Sequence, residues 1–431
     1  MKQIGIVCFG ILSLCLFYGF GMGRPPAIFN NKDIHASAVE DSPFFLVISD
    51  IHLNTCRKVT DVDGDTDPSS WNITKTELAK LLDKKPRFVL FTGDMPAHHA
   101  DVKAECNCDK HPVDHFRRRD YDTVLQNFYA LLKGRDIPFF FVPGNNDVAT
   151  GDYGKFTENN KNVFSDVKNM YPTPTLNTGV SKTHYPYIDS LNSEDCYYSV
   201  CIASNLRLIV LNSIILCKSE ANTYSQDDGF KELDWMKTEL QKARNKKQSV
   251  YIAMHIPPGE GGNNSKKNPG KALWKKSLVN GFLSSTDTYN DLIKGIFYGH
   301  IHTDECRFLY NKGGDSIKSV AFSCPAITSY KHGNNPGFKM MDYDKATNSI
   351  TDVITYYRDI DIPTGGWQQY SYSQIFGCQN GVGFINALMT KANKDLTKIS
   401  GPEHAIFFLK RNAGKNPEDY PEPEEMKVIW R

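Results

Sequence analysis

Residues 44–52, FFLVISDIH, form an apolar run that ends in two polar side chains, Asp50 and His52. Strands that are covered on both faces need such apolar, β-branched and aromatic runs. The run therefore predicts a buried strand that ends in a tight turn. Because residues directly after a strand lie at the edge of its sheet, Asp50 and His52 are expected at such an edge.

The same pattern recurs four times along the chain, in RFVLFTGD (87–94), PFFFVPGNND (138–147), SVYIAMH (249–255) and GIFYGH (295–300). Each run is apolar and ends in a carboxylate, an amide or a histidine. Buried strands that belong to one sheet system bring their ends together, although the runs are far apart in sequence. The polar residues after the five runs are therefore expected to converge.

Helical segments alternate with the first strands, as in ITKTELAKLLD (73–83), YDTVLQNFYALLKG (121–134) and FKELDWMKTELQKARN (230–245). The later strands LRLIVLNS (206–213) and SVAFSCP (319–325) have no long helix between them and their neighbours. This arrangement predicts an α/β fold with two mixed sheets packed together and helices outside.

Seven side chains at the strand ends have the chemistry of metal ligands: Asp50, His52, Asp94, Asn145, His255, His300 and His302. One histidine in such a place is more often a satisfied core or surface residue than a ligand. Five clusters with the same form favour a metal centre instead. Two divalent ions held a few ångströms apart need one carboxylate between them, and Asp94 is the natural bridge.

These motifs, DxH, GD, GNxD, a lone His and GHxH, resemble those of the calcineurin-like metallophosphoesterase superfamily. The resemblance implies a four-layer α/β/β/α sandwich and two divalent ions. One ion would be held by Asp50, His52, Asp94 and His302, and the other by Asp94, Asn145, His255 and His300. Zinc is the expected metal, and manganese and iron are alternatives because mixed ligand sets also accept them.

Longer stretches narrow the resemblance to the acid sphingomyelinase-like phosphodiesterases: GDMPAH (93–98), GHIHTDECRFLY (299–310) and NNPGFKMMDYD (334–344). A hydroxide activated by the metals would attack the phosphorus atom, and His98 would protonate the leaving group. The alternative is that His98 only positions a phosphate oxygen.

Position 146 departs from the family, because Asn146 stands where the usual motif has a histidine. The amide can bind a phosphate oxygen but cannot deliver a proton, which suits a good leaving group. The same GNND spelling resembles the endopolyphosphatases. The segment before Phe44 is also too short for a saposin-type lipid-presenting domain, which favours nucleotides or related small phosphodiesters over sphingomyelin.

The predicted function is therefore hydrolysis of phosphodiester or phosphoanhydride bonds in small phosphorylated substrates. Endopolyphosphatase and sphingomyelin phosphodiesterase are alternatives, and a non-catalytic metal-binding module is the contrasting class. The formal net charge of +1 argues against nucleic-acid binding by bulk electrostatics. Residues 44–354 are expected to form the catalytic domain, and residues 355–431, with the helical pattern GFINALMTKANKDL, a small helical appendage.

Residues 1–23 have the form of a signal peptide, with Lys2 before an apolar run, so the chain is expected to be exported. An uncleaved membrane anchor is the alternative. In an exported chain, the cysteines are expected to form some disulfides, with Cys196 and Cys201 as a candidate pair. The cluster Cys106, Cys108, His111 and His115 has the residue types of a zinc site, but a disulfide or a surface loop is favoured.

Overall fold

The computed structural model describes residues 42–55, 65–98, 113–148, 152–156, 185–261, 271–329, 334–360, 362, 364–394 and 427–428. The predicted signal peptide, residues 1–23, lies outside the described residues. So do the side chains of Cys106, Cys108, His111 and His115. In the part of the chain that is described, no helix is both long enough and apolar enough to cross a membrane.

The helices are α1 (Pro68–Leu82), α2 (Val113–Leu132), α3 (Gln226–Asn245), α4 (Lys276–Thr288), α5 (Tyr372–Ile375) and α6 (Phe384–Lys394). The strands are β1 (Phe44–Ile48), β2 (Val89–Phe91), β3 (Phe139–Phe141), β4 (Tyr187–Asn192), β5 (Tyr197–Ala203), β6 (Leu206–Val210), β7 (Ser249–Ala253), β8 (Glu260–Gly261), β9 (Lys271–Ala272), β10 (Ile293–Tyr298), β11 (Cys306–Tyr310), β12 (Ile317–Ser323), β13 (Gly337–Tyr343), β14 (Ile350–Tyr357), β15 (Gln368–Ser371) and β16 (Lys427–Val428).

Two mixed sheets contain most of the strands, as the sequence predicts. The six-stranded sheet has the order β15-β14-β13-β1-β2-β3, and the eight-stranded sheet has the order β16-β11-β12-β10-β7-β6-β5-β4. The strands that carry the apolar runs, β1, β2 and β3, are parallel neighbours, and so are β7 and β10. Their carboxyl ends therefore lie side by side.

The aromatic ring of Phe45 in β1 connects the two sheets. It lies 5.4 Å from the rings of both Tyr251 in β7 and Phe297 in β10, with the Phe297 ring edge-on. All five side chains of β1 are buried, which explains why the strand must be apolar on both faces. Aromatic side chains bury large areas, so this contact contributes strongly to the packing of one sheet on the other.

Helices cover the outer faces of both sheets. Phe128 of α2 packs against Phe91 of β2, with ring centroids 5.6 Å apart. On the other side, α3 packs on β6 and β7, and α4 packs on β11 and β12. Helix α3 begins at a capping box, in which Ser225 and Asp228 satisfy each other's backbone N–H groups. The layers follow the order helix, sheet, sheet, helix, and the predicted α/β sandwich is confirmed.

The region after residue 354 contributes strands as well as the expected helix. Helix α6 lies where the pattern GFINALMTKANKDL predicts it, but β14 runs across the expected boundary and β15 pairs with β14. A strand of four residues is too short to give a recognisable period, which is why it was not expected. The division into a catalytic domain (44–354) and an appendage (355–431) stays a prediction.

Cys196 and Cys201 do not form a disulfide with each other, and both side chains are buried. Cys196 lies in the turn before β5, with a φ of 61°, and its Sγ is 3.7 Å from the Ser193 carbonyl oxygen. Cys201 lies within β5, where its Sγ accepts a hydrogen bond from the Gln248 side chain at 3.7 Å. The two thiols have different partners, so the expected disulfide is wrong.

Candidate metal centre

The five strand-end loops meet where the two sheets adjoin. Asp50 and His52 follow β1, and Asp94 follows β2 in the same sheet, while His255 follows β7 in the other sheet. The loop after β10 joins them, because the backbone N–H of His300 lies 3.0 Å from Asp50 Oδ2. Residues that lie 250 positions apart in the sequence are therefore neighbours.

Among the described residues, three groups of side chains could each hold a metal ion; one consists of His52, His98 and His302, and the other two share Asp94. In the first group that contains Asp94, ligand atoms of Asp50, His52 and Asp94 all lie within 4.8 Å of one another. In the second, the same holds for Asp94, His255 and His300. A carboxylate that belongs to two adjacent groups has the position that a bridge between two ions requires.

The remaining predicted ligands border these groups. His302 Nε2 lies 3.4 Å from Asp50 Oδ1, on the side of the first group. Asn145 Oδ1 lies 3.0 Å from His255 Nε2, which in turn is 3.2 Å from Asp94 Oδ2, on the side of the second group. All seven residues that the sequence proposed as ligands are thus brought together, and their division into two ligand sets stays a prediction.

The backbone of the ligand loops is strained. Five of the seven residues have a φ in the left-handed region: Asp50 (48°), His52 (44°), Asp94 (64°), His300 (71°) and His302 (61°). Each such non-glycine residue costs on the order of 1–3 kcal/mol and persists only where the surroundings fix it. Here the loops fix one another, since Asp50 N donates to Gly93 O at 2.9 Å and His52 N donates to Asp94 O at 3.2 Å.

Glycine is required at position 93 for two reasons. Its φ is 103°, which L side chains rarely adopt, and a Cβ placed there would lie 2.7 Å from His255 Nδ1. The glycine therefore permits the close approach of the Asp94 loop to the His255 loop, which come from different sheets.

Hydrogen bonds fix which nitrogen of each central histidine can bind a cation. His52 Nδ1 lies 3.1 Å from the Pro96 carbonyl oxygen, and His255 Nδ1 lies 2.7 Å from the Thr92 carbonyl oxygen. A carbonyl can only accept, so each Nδ1 carries the hydrogen and each Nε2 faces the carboxylates. Metal-binding histidines are typically held in this way.

His52 Nε2 provides a direct test of whether the residues fit a metal. This atom is buried and has no hydrogen-bond partner among the described residues, although it lies 3.5 Å from Asp94 Oδ2 and 3.7 Å from Asp50 Oδ1. Buried polar atoms are rarely left unsatisfied. A divalent cation between the imidazole and the two carboxylates would satisfy all three groups, so the donor set fits a metal.

The pKa values of His255 and Asp94, in the second group, also fit a metal site. Burial lowers the pKa of His255, but the carboxylates of Asp94 and Asp50 and the Thr92 carbonyl together outweigh it and raise the pKa to about 10. Burial also raises the pKa of Asp94, and His255 reverses this and holds it below the ordinary value. A cation that binds between them must displace the His255 proton, which couples metal binding to proton release.

Asp147 supports the site without being a predicted ligand. Its Oδ2 accepts the backbone N–H groups of Asp94 and Gly144, both at 2.8 Å, and its Oδ1 accepts the N–H of Met95 at 2.9 Å. Burial, followed by the charge of Asp94, raises the pKa of Asp147 to about 7. One buried carboxylate thus ties together the loops that carry Asp94 and Asn145.

The predicted acid, His98, is adjacent to the first group. Its ring stacks on that of His52 with centroids 3.5 Å apart, and its Nδ1 lies 2.6 Å from Asp65 Oδ1. Burial and then His52 lower the pKa of His98 to about 3, against the opposing effect of Asp65. Near neutral pH the ring is therefore neutral, and a bound phosphate anion has to raise the pKa before His98 can donate a proton.

Asp65 was not among the residues that the sequence singled out. It lies 33 residues before His98, in a segment without a regular pattern, and no local signal predicts the contact. Asp67 caps helix α1 by accepting the N–H groups of Ser69 and Ser70, which fixes the chain immediately after Asp65.

Asn146 lies directly on the central carboxylate. Its backbone N–H donates to Asp94 Oδ1 and its Nδ2 donates to Asp94 Oδ2, both at 2.8 Å. The amide therefore helps to orient Asp94, an arrangement that the sequence did not predict. Its expected contact with a phosphate oxygen stays a prediction.

The chain is similar in sequence to known phosphoesterases. The family model of the calcineurin-like phosphoesterases matches residues 45–304. Human acid sphingomyelinase-like phosphodiesterase 3b is 25% identical over 331 residues, which are 72% of this chain and 66% of that protein. The chain thus spans slightly less than two thirds of that relative's length.

Two further relatives are similar to a comparable share of the chain. Human cyclic GMP-AMP phosphodiesterase SMPDL3A is 23% identical over 363 residues, which cover 79% of this chain and 72% of that protein. Sphingomyelinase phosphodiesterase D of Dictyostelium discoideum is 28% identical over 338 residues, which cover 72% of this chain and 66% of that protein. The sequence similarity to these proteins therefore extends over about three quarters of the chain.

Proposed function

The chain belongs to the calcineurin-like phosphoesterase family, and from this premise we propose that it is an exported hydrolase of phosphodiester or phosphoanhydride bonds. Its proposed substrates are nucleotides or related small phosphodiesters. The observation that carries the proposal is the position of Asp94, which belongs to two adjacent groups of buried candidate ligands. Such a pair of groups suits a pair of divalent ions that stabilise an in-line displacement at phosphorus.

The proposed ligand sets are those that the family resemblance implies, and the distances between the side chains support them. Asp50, His52, Asp94 and His302 hold one ion, and Asp94, Asn145, His255 and His300 hold the other. Zinc is the proposed metal, while manganese and iron suit the same mixture of imidazole, amide and carboxylate ligands. When bound, the ions supply an activated water molecule and neutralise the charge of the phosphate.

The chain's own residues would then control the proton and the substrate. His98 protonates the leaving oxygen, and Asp65, 2.6 Å from Nδ1, stabilises the imidazolium and keeps the ring turned toward the site. Asn146 binds a phosphate oxygen through its amide. Because Asn146 cannot donate a proton, the leaving group depends on His98 alone, which favours substrates with good leaving groups.

Two observations support nucleotides over lipid. Phosphoanhydrides of nucleotides have good leaving groups, and one relative carries the name of a cyclic GMP-AMP phosphodiesterase. Sphingomyelin is an alternative substrate because the relatives are acid sphingomyelinase-like. Polyphosphate is another because the GNND motif resembles that of the endopolyphosphatases. The contrasting proposal is a module that binds metal without catalysis.

A substrate panel distinguishes these proposals. The purified chain with added zinc would be tested on ATP, cyclic GMP-AMP, inorganic polyphosphate and micellar sphingomyelin, with Asp94→Asn as the blank. We expect the highest kcat/KM for a nucleotide. Efficient sphingomyelin cleavage with negligible nucleotide turnover would overturn the substrate assignment. Bound metal without turnover of any substrate would favour the binding module.

Export is tested separately from activity. The full gene would be expressed in a secretory host, and the N-terminus of the product recovered from the medium would be sequenced. Cleavage close to residue 23 is the expected result. An intact N-terminus in the membrane fraction would favour the uncleaved anchor.

A further inference from the structure

We infer that Asp152 and Tyr153 are positioning residues that form an outer layer around the second proposed ion, where Asp152 orients the amide of Asn145 and Tyr153 orients the ring of His300. The inference rests on the proposed two-ion site and deepens it. Neither residue was singled out from the sequence, and neither belongs to the groups that could hold a metal directly.

The side chain of Asn145 is held from both ends. Its Nδ2 donates to Asp152 Oδ1 at 2.6 Å, while its Oδ1 lies 3.0 Å from His255 Nε2. An amide has a donor end and an acceptor end, and an ionised carboxylate can only accept. Asp152 therefore requires the nitrogen end, so the carbonyl oxygen of Asn145 is turned toward His255 and the cation position.

The backbone reinforces this orientation. The N–H of Tyr153 donates to the backbone carbonyl of Asn145 at 3.2 Å. The dipeptide Asp152-Tyr153 thus contacts Asn145 through a side chain and through the main chain. Asn145 is 3% exposed and cannot take both contacts from water. Asp152 and Tyr153 therefore restrict Asn145, which is the ligand of the second set whose donor and acceptor ends can be exchanged by rotation of the amide.

Tyr153 also contacts the neighbouring ligand. Its hydroxyl oxygen lies 3.5 Å from His300 Nε2, and the two rings meet edge to face with centroids 6.2 Å apart. When the hydroxyl oxygen accepts a hydrogen bond from Nε2–H, the lone pair of the ring is on Nδ1. Tyr153 then selects the tautomer in which Nδ1 is the nitrogen available to a cation.

The charge of Asp152 has a second consequence. Asn145 is a neutral ligand, so the second ion has less negative charge in direct contact than a carboxylate would give. A carboxylate one hydrogen bond away makes the Asn145 carbonyl oxygen a stronger acceptor and lowers the potential at the cation position. Removal of such outer partners typically weakens metal binding by about 10–100-fold.

Zinc affinity of the full purified chain tests this assignment. The metal-free protein would be titrated with zinc in competition with a chromophoric chelator, for the wild type and for Asp152→Ala, Asp152→Asn and Tyr153→Phe. We expect Asp152→Ala to weaken one of the two ions by about 10–100-fold and to leave the other unchanged. Asp152→Asn should fall between, because its Oδ1 still accepts from Asn145 while the charge is lost. Tyr153→Phe should weaken the same ion.

Two matched variants control for general effects. Asp234→Asn changes an exposed acid on α3, and Tyr289→Phe removes a hydroxyl whose partner is Gln241. Both should bind zinc like the wild type. Wild-type binding of two ions together with unchanged affinity in Asp152→Ala would overturn the inference alone. Equal weakening of both ions in Asp152→Ala would overturn it too, by showing a general structural effect.

Failure of the two-ion site itself has a different signature, in which the wild-type chain binds fewer than one zinc ion after reconstitution, whatever the variants do. The inference then falls together with the two-ion site on which it rests. A wild-type chain that binds two ions without turnover of any substrate would overturn the proposed function alone.

Discussion

Two buried clusters of charged side chains in this protein differ in how their charges are balanced. The Arg207 cluster consists of Arg207, Asp189, Ser199, Glu239 and Gln248. Arg207 is fully buried, and its guanidinium donates to Glu239 at 2.7 Å and to Asp189 at 2.8 Å. Its Nε donates to Gln248 at 3.2 Å, so each of the three guanidinium nitrogens has an acceptor.

The candidate metal centre has the opposite composition. Asp50 and Asp94 are buried with at most 1% exposure, and the ionisable groups that face them are imidazoles, which are not permanent cations. One of the imidazole nitrogens, His52 Nε2, lacks a hydrogen-bond partner among the described residues. A buried cluster with surplus acceptors needs a cation from solution, whereas the Arg207 cluster contains its own.

The difference separates a cluster that maintains the fold from one that is built for a ligand. Substitutions in the two clusters should therefore have separable effects. Changes in the Arg207 cluster should reduce the free energy of unfolding and leave catalysis intact. Changes in the metal centre should reduce catalysis and leave the free energy of unfolding intact.

The largest effect on catalysis is expected from Asp94→Asn. A neutral amide cannot neutralise two ions, so turnover should fall by about three or more orders of magnitude. The circular dichroism spectrum and thermal midpoint should stay close to those of the wild type with both proteins free of metal. Near-normal turnover by a metal-replete variant would contradict the bridging role.

Substitution of Arg207 should show the contrasting behaviour. Arg207→Met leaves the buried Glu239 with the Lys242 ammonium and the Ser199 hydroxyl as partners but without the buried guanidinium, and should cost about 3–5 kcal/mol in urea unfolding. Turnover per folded molecule should be unchanged. The double variant Arg207→Met with Glu239→Leu should recover much of the stability, because a matched apolar pair replaces the ion pair. A loss of zinc binding in Arg207→Met alone would show that the two clusters are coupled, and it would contradict the contrast between them.

The next effect in size concerns His98. With His98→Ala, we expect both ions to remain bound and hydrolysis of substrates with poor leaving groups to slow by about 10²–10⁴-fold. A nitrophenyl ester, whose leaving group needs no proton, should be affected much less. If both substrates slow equally, His98 positions the phosphate and is not the acid.

The smallest effect is expected from Asn146→His. A second imidazole can supply a proton, so poor leaving groups should gain by about tenfold or less, well below the full range of general-acid catalysis. Phosphoanhydrides should gain little. The two hydrogen bonds from Asn146 to Asp94 limit the gain, because the new side chain must replace the one made by Nδ2. Improvement confined to anhydrides would refute the proposed reason for the amide.

The sequence predicted the parts of this protein that depend on local patterns. The apolar runs before Asp50 and before Asp94 specify buried strands. A polar residue directly after such a strand lies at the edge of the sheet. The paired mixed sheets and the seven gathered side chains follow from that rule. The expected disulfide between Cys196 and Cys201 failed because closeness in sequence does not specify the direction of a thiol.

The supporting residues could not be predicted, because their partners are set by tertiary packing. Asp147 reaches the backbone of Asp94 across 53 positions, and Asp65 reaches His98 across 33. Asp152 lies only seven residues after Asn145, but its role depends on which end of an amide faces a neighbour. Strand β15 was missed for a related reason, since pairing with β14 makes it a strand.

Metal content measures the central contrast most directly. The wild-type chain and Arg207→Met would be stripped with a chelator, reconstituted with zinc, freed of excess metal and analysed for zinc per chain. Two ions per chain in both proteins is the predicted result, because the surplus of buried acceptors lies in the metal centre and the Arg207 cluster is complete without a metal. Fewer than one ion per wild-type chain would contradict this account.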